Sequence, residues 1–258
     1  MRSAISGNLM PIFKIFITGF LFFWFGVICI LGNIFFVPVL FFGLQKYKLI
    51  RNFCRFLVRN AWKFFIFCTD ILGYARSNAD ILKTLGKNSE IIVCNHTSLL
   101  DIVFFLSFVK DSNCIVKGEL AKNIFLSSAI KACGYILNTQ NEECLEISCK
   151  ALKEQENLIV FPEGSRTKDK IVFHKAAAYI AIKSAKTLTP VFLHMNPKSL
   201  KKGVAWYDTP DITINYKFNI LKSIDLDTFY PQKSAPIRAR LLNAYLQEIY
   251  NEEFKNDR

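Results

Sequence analysis

None of the eight cysteines (Cys29, Cys54, Cys68, Cys94, Cys114, Cys133, Cys144 and Cys149) forms a Cys-x-x-Cys pair, and several lie inside apolar runs. That spacing argues against a zinc site and offers no disulfide framework, so reduced, buried thiols of a cytosolic compartment are expected. Histidine occurs only three times and not at the spacing of a zinc site, so no metal is expected. There is no Gly-x-Ser-x-Gly turn, which removes the nucleophile elbow of an esterase. Internal repeats, low-complexity tracts and a linker long enough to separate two soluble domains are also missing. At 258 residues the chain makes one large domain, or one domain with an appendage. Acidic residues are outnumbered 33 to 21, giving a net charge of +12 and a pI near 9.3, so an anionic partner is expected. The 52% hydrophobic content, with 25 phenylalanines, is high for a nucleic-acid binder and favours a membrane surface instead.

Charge is missing altogether from residues 15–44, IFITGFLFFWFGVICILGNIFFVPVLFFGL. About 20 apolar residues cross a bilayer, so this run could form one long tilted span. Gly32, Asn33 and Pro38 interrupt it, and two shorter helices that dip in and return fit equally well. It is too long for a signal peptide, and no small-residue cleavage site follows. Next, Arg51, Arg55, Arg59 and Lys63 recur every four residues, with Leu49, Phe53, Phe56, Leu57, Phe64 and Phe67 on other faces. A basic stripe beside aromatic bulk suits a helix lying in the headgroup layer, although an ordinary solvated face has the same pattern. The flanking positive charge predicts that this side faces the cytoplasm.

Beyond Gly73 the pattern becomes that of an α/β domain. Short apolar runs at 91–94, 114–116, 135–137, 158–161 and 190–193 read as strands, with helical patterns at 142–154 and 174–186. DITINYKF (211–218) alternates like a half-exposed strand, and 235–254 reads as a closing amphipathic helix. The expected organisation is a membrane-inserted helical segment with a basic interfacial helix over 1–70, followed by a single α/β domain over 71–258.

Two stretches carry chemistry. IIVCNHTSLLDIVFFL (91–106) sets His96 between a buried strand and a helix that Thr97 or Ser98 is suited to cap. Strand-to-helix junctions are where α/β folds keep their chemistry, though a histidine that merely helps to cap the turn would look the same. Asp101 follows five residues later. Within one regular helix the two side chains would stand about 140° apart, so they can meet only if His96 lies in the loop and Asp101 in the helix. In NLIVFPEGSRTK (157–168), Pro162 ends a strand, Gly164 frees the backbone, and Glu163, Arg166 and Lys168 supply charge. An arginine in such a turn can hold a phosphate through paired hydrogen bonds.

Together these stretches resemble the glycerolipid acyltransferases typified by 1-acylglycerol-3-phosphate acyltransferase. NHTSLLD (95–101) is similar to that family's first motif and FPEGSRTK (161–168) to its third. VKGEL (116–120) with CGYILNT (133–139) resembles the second, and LTPVFL (188–193) the fourth. The blocks occur in the family's order, and the resemblance covers about 72–221. It implies a membrane-bound enzyme in which His96, oriented by Asp101, removes a proton from a lyso-lipid hydroxyl attacking an acyl thioester. Lys117, Glu163, Gly164, Ser165 and Arg166 would bind substrate, with most of the phosphate contact in the 163–166 turn. The co-substrate would be acyl-CoA or an acyl carrier protein thioester, the partners membrane lipids rather than nucleic acid, and no further cofactor is implied. Two positions depart from the pattern: Leu137, Asn138 and Thr139 stand where the second motif often ends Ile-Asp-Arg, and Ala176 replaces a usual glycine. The first departure leaves the acceptor open to another lyso-phospholipid or a lyso-aminolipid. A catalytically silent lipid-binding protein on the same scaffold is a further reading, against which the intact His96/Asp101 pair speaks.

Overall fold

The computed structural model describes residues 9–87, 89–139, 142–167, 171–200, 203 and 205–256. Lys168 therefore lies outside the described residues. The uncharged run forms a single helix, α1 (Leu9–Phe41), with Pro38 inside it, rather than two that turn back. Pro38 is near its end, where a lost backbone bond does least harm. A short 3₁₀ turn leads into α2 (Lys48–Ile71).

The strands are β1 (Ala75–Ser77), β2 (Glu90–Cys94), β3 (Ser112–Lys117), β4 (Ile136–Asn138), β5 (Asn157–Val160), β6 (Thr187–Asn196), β7 (Ile214–Ile220) and β8 (Ile224–Asp225). Between them run α3 (Asp101–Phe108), α4 (Ser127–Cys133), α5 (Glu142–Lys153) and α6 (Ala176–Ser184), and α7 (Ala235–Asn256) closes the fold. The sheet order is β1-β7-β6-β2-β5-β3-β4, with β8 on the start of β6. Strands β6, β2, β5, β3 and β4 run parallel, while β7 is antiparallel to β6. β2 and β5 are buried at every position, which is why they appear as unbroken β-branched runs rather than as alternation. β7 buries Ile214, Tyr216 and Phe218 and exposes the residues between, so its alternation is plain in DITINYKF.

Alternation within β2 divides the core. Ile92 and Cys94 face one layer with α1 to α4, and Ile91 and Val93 face the other with α5, α6 and α7. The connection leaving β2 thus passes to one face and that leaving β5 to the opposite face, although the two strands are neighbours. A crevice opens at their carboxyl ends, the usual ligand position in a sheet of this kind. All eight cysteines are free, and all except Cys68 are buried.

The basic stripe of α2 does not form one solvated or headgroup-facing edge. Arg55 is buried: it donates through Nε to the Cys133 carbonyl at 2.9 Å and pairs with Glu156 at 3.0 Å, where Arg51 also approaches at 3.7 Å. Cys54, Val58, Trp62, Phe65 and Thr69 share the inward face, a helical spacing that the regular arginine repeat masks in the sequence. The outward face carries Leu49, Phe53, Phe56, Phe64 and Phe67, all exposed. α1 joins α2 through Phe25, whose ring stacks on Trp62 at 4.9 Å and meets Phe65 edge-on at 5.6 Å. These two helices belong to the same buried cluster as β2, β6 and β7.

Burial pushes the Glu156 carboxyl up, but Arg55, Asn113 and Arg51 outweigh that and hold it below the ordinary carboxylate range. Removing one partner of such a pair strands the other charge in the core. Glu156→Ala should therefore lower the unfolding free energy by about 3–5 kcal/mol. Arg55→Met/Glu156→Leu should recover part of the loss, as read from denaturant midpoints in detergent. An unchanged midpoint for Glu156→Ala would contradict this role.

Candidate active site

Asn95 begins the site. Its amide donates to the Leu193 carbonyl at 2.9 Å and accepts the Leu193 N–H at 2.8 Å, so the side chain continues the β2–β6 ladder in place of backbone. The main chain is thereby released from the sheet one residue early, and His96 enters the crevice. Its ring lies 4.7 Å from that of Phe161, at the end of β5, and its side chain is 21% exposed.

Asp101, the first residue of α3, is completely buried. Its carboxylate accepts five hydrogen bonds: from His96 Nδ1 at 2.9 Å, Thr97 N at 2.5 Å, Ser98 N at 2.8 Å, Thr97 Oγ1 at 3.1 Å and Ser98 Oγ at 2.6 Å. Only an ionised carboxylate accepts at every site, and it accepts the hydrogen bond from the imidazole Nδ1–H. Nε2 is left with its lone pair towards the cavity, the tautomer that a general base requires. His96 in the loop and Asp101 in the helix is the arrangement the five-residue spacing demanded. The expected helix cap is not formed: Leu100 occupies the N-cap without a side-chain bond, and Ser98 Oγ accepts from the Leu100 N–H while Tyr216 OH donates to it at 3.2 Å. Thr97 and Ser98 serve the aspartate instead.

The turn after β5 locks onto this loop. Glu163 Oε1 accepts the His96 N–H at 2.8 Å and the Thr167 hydroxyl at 2.7 Å, and the Thr167 N–H returns a bond to the His96 carbonyl at 2.5 Å. Gly164 has φ +63°, a left-handed conformation that any other residue would adopt at a cost. Its N–H bonds to the Phe161 carbonyl at 3.1 Å to tighten the turn. Arg166 donates to the Leu200 carbonyl. Its burial lowers the guanidinium pKa, against the pull of Asp101, and the group remains cationic.

A cavity of about 1080 Å³ joins these groups. Its polar lining includes His96, Lys117, Asn138, Glu163, Gly164, Ser165, Arg166 and His174; its apolar lining includes Leu21, Phe22 and Phe25 of α1 with Val58, Trp62 and Phe65 of α2. Six of the seven residues marked in the sequence for catalysis or binding line this one space, and Asp101, fully buried, stands behind His96. Lys117 is the most peripheral, exposed at the end of β3. Sequence reasoning missed the clamp by Glu163 and Thr167, the Tyr216–Ser98 support, His174, and the contribution of α1 and α2 to the cavity wall. Only the aromatic spacing of α2 carried a signal for the last.

Residues 74–194, a little under half of the chain, match the family model described as Acyltransferase. Among individual proteins the chain is similar to the 1-acyl-sn-glycerol-3-phosphate acyltransferase of Helicobacter pylori, with 30% identity over 135 residues, 49% of this chain and 57% of that one. It is also similar to the chloroplastic 1-acyl-sn-glycerol-3-phosphate acyltransferase of Arabidopsis thaliana, with 27% identity over 142 residues, 52% of this chain and 40% of that one. The chain thus matches little more than half the length of the first relative and less than half of the second. The crystal structure of the 1-acyl-sn-glycerophosphate acyltransferase of Thermotoga maritima superposes with a TM-score of 0.57 at 24% identity, covering 96% of this chain and 98% of that one, which establishes a common fold.

Burial pushes the Glu163 carboxyl up to about 7, against the opposing bonds from Thr167 and the His96 N–H. Because the folded-state pKa is raised, the neutral form favours folding at low pH. That contribution is lost as pH rises from the ordinary carboxylate range through about 7. Glu163→Gln keeps the accepting oxygen without the charge, so it should remove this decline in stability. It should also retain most of the activity that Glu163→Ala loses. Parallel stability–pH curves for wild type and the glutamine variant would contradict the assignment.

Proposed function

We propose that this protein is a membrane-bound O-acyltransferase that moves a fatty acyl chain from a thioester to the free hydroxyl of a lyso-glycerolipid. The acceptor we favour is 1-acyl-sn-glycerol 3-phosphate, giving phosphatidic acid, which is the acceptor in the names of the relatives. The observation that carries the reading is the His96–Asp101 pair at 2.9 Å, beside a cavity lined by basic and polar groups and by the apolar side chains of α1 and α2. His96 Nε2 takes the hydroxyl proton as the oxygen attacks the thioester carbonyl carbon. The carbon–sulfur bond then breaks, and the leaving thiolate collects the proton from the imidazolium. Asp101 holds the tautomer and stabilises the transient charge. The apolar side chains of α1 and α2 that line the cavity suit an acyl chain, and the burial of that chain contributes about 0.8 kcal/mol per methylene.

Arg166, with Ser165, is assigned to the acceptor phosphate, and Lys117 guards the mouth of the cavity. Glu163 is assigned to positioning, because a carboxylate already accepting from His96 and Thr167 would repel a phosphate. Thr139, exposed just beyond β4, supplies no cation, which places more of the phosphate on Arg166. A coenzyme A thioester and an acyl carrier protein thioester both satisfy this chemistry as donor.

α1 is the membrane anchor in this reading. Its 12–41 stretch is long and apolar enough to cross a bilayer, and only 17% of its most apolar window is buried. It is tied to the α/β domain at two places, however: Lys14 Nζ donates to the Gly73 carbonyl at 2.8 Å, and Asn33 Nδ2 to the Ile124 carbonyl at 3.0 Å. Those ties lie about 28 Å apart along the helix at 1.5 Å per residue, close to the thickness of the hydrocarbon core. A crossing helix would drag one of them to the far side. We therefore read α1 and the outward face of α2 as lying in the cytoplasmic leaflet, with the α/β domain in the cytoplasm.

His96→Ala and Asp101→Asn should each lower turnover about 10²–10⁴-fold and leave membrane attachment unchanged. Near-normal acyl transfer by either variant would overturn the mechanism. Arg166→Ala should raise the KM for the lyso-lipid about ten- to a hundred-fold, with a smaller effect on the thioester. If the wild type ignores 1-acylglycerol 3-phosphate but acylates a lyso-lipid without a phosphate monoester, the acceptor assignment falls and the acyltransferase assignment stands.

A further inference from the structure

Next to the site, Asn123 Oδ1 accepts the N–H groups of Phe125 and Leu126 and folds residues 123–126 into a tight turn. At its tip Ile124 is 75% exposed and Phe125 37%. Exposed apolar side chains at the end of a hydrogen-bonded turn cost solubility and call for an explanation. Three features of the surroundings point to one.

The turn is continuous with the anchor: Asn33 of α1 donates to the Ile124 carbonyl and accepts from Ser128, at the start of α4. It is rimmed by Lys117, Lys122 and Lys131, all exposed, with Glu119 as the acid among them, a balance complementary to anionic headgroups. Finally, Leu120 and Leu126, on either side of the turn, line the cavity together with Leu99 and Lys117. We propose that the 123–126 turn is a second bilayer contact, in which Ile124 and Phe125 enter the leaflet beside α1 and hold the cavity mouth at the level of the lipid headgroups. This rests on the membrane-bound reading above and extends it. The lysines gather anionic lipid around the mouth, and an acceptor can reach His96 by lateral diffusion, its apolar chain never crossing water.

The test uses full-length protein on vesicles containing anionic lipid, in a Cys68→Ser background that removes the one half-exposed thiol. A polarity-sensitive fluorophore is attached singly through Phe20→Cys, Ile124→Cys or Glu252→Cys and challenged with chain-brominated lipids. Quenching at 20 and 124 but not at 252 is expected. Quenching at 20 without quenching at 124 would overturn the second contact and leave the anchor intact, whereas no quenching at 20 would overturn the anchor and this inference with it. Quenching at 252 as strong as at 124 would also overturn it. In parallel, Ile124→Ser/Phe125→Ser should lower turnover of vesicle-embedded acceptor about tenfold and leave turnover of detergent-dispersed acceptor unchanged. Equal rates in vesicles, or self-association of the wild type that the double substitution abolishes, would contradict it.

Discussion

The carboxylate of Asp101 is the point on which the site converges. A fully buried anion is tolerated only when its lone pairs are filled, and the residues Thr97 and Ser98 fill them with two amides and two hydroxyls, leaving one position for the His96 ring. The loop between β2 and α3 is thereby wound around the aspartate, and the direction of the imidazole follows from that winding. Asn95, through the β6 backbone, and Glu163, through the His96 N–H, fix the start of the same loop where it leaves β2. His96 is thus held from strand β6, from the turn after β5 and from helix α3, with little freedom to reorient.

The second constraint is that the α1–α2 pair and the cavity are one structure. Phe25 packs on Trp62 and Phe65, and these same three residues line the cavity. Arg55 and Glu156 tie α2 into the base of the sheet on the other side. An α/β domain cut away from residues 9–71 would lose a wall of its cavity. The phenylalanines of α1 and α2 divide accordingly between a packed inward face, with Phe25 and Phe65, and an exposed outward one, with Phe53, Phe56, Phe64 and Phe67.

Much of this was legible in the sequence because its causes are local. Strands β2 and β5 appeared as short β-branched runs, β7 as an alternation, and α5 and α7 as amphipathic periods, since burial on both faces, one face or one stripe writes each pattern directly. Helix geometry set the condition under which His96 could meet Asp101, and the motif resemblance supplied the pairing. What escaped was non-local. Four-residue recurrence made Arg55 look like part of an exposed stripe, and only the fold brings Glu156, a hundred positions later, to its guanidinium. The bond from the His96 N–H to Glu163 was invisible because the two residues are 67 positions apart. Thr97 and Ser98 looked like helix caps because the same side chains that cap a helix can instead satisfy an aspartate one turn on.

The central claim, that Asp101 presents His96 as a proton acceptor, is tested most directly by the nitrogen NMR signals of His96 in protein labelled at histidine. At a pH where the imidazole is neutral, Nδ1 should carry the proton and Nε2 should not, and Asp101→Asn should reverse or mix the two tautomers. A wild-type His96 protonated at Nε2, with Nδ1 bare, would contradict the account.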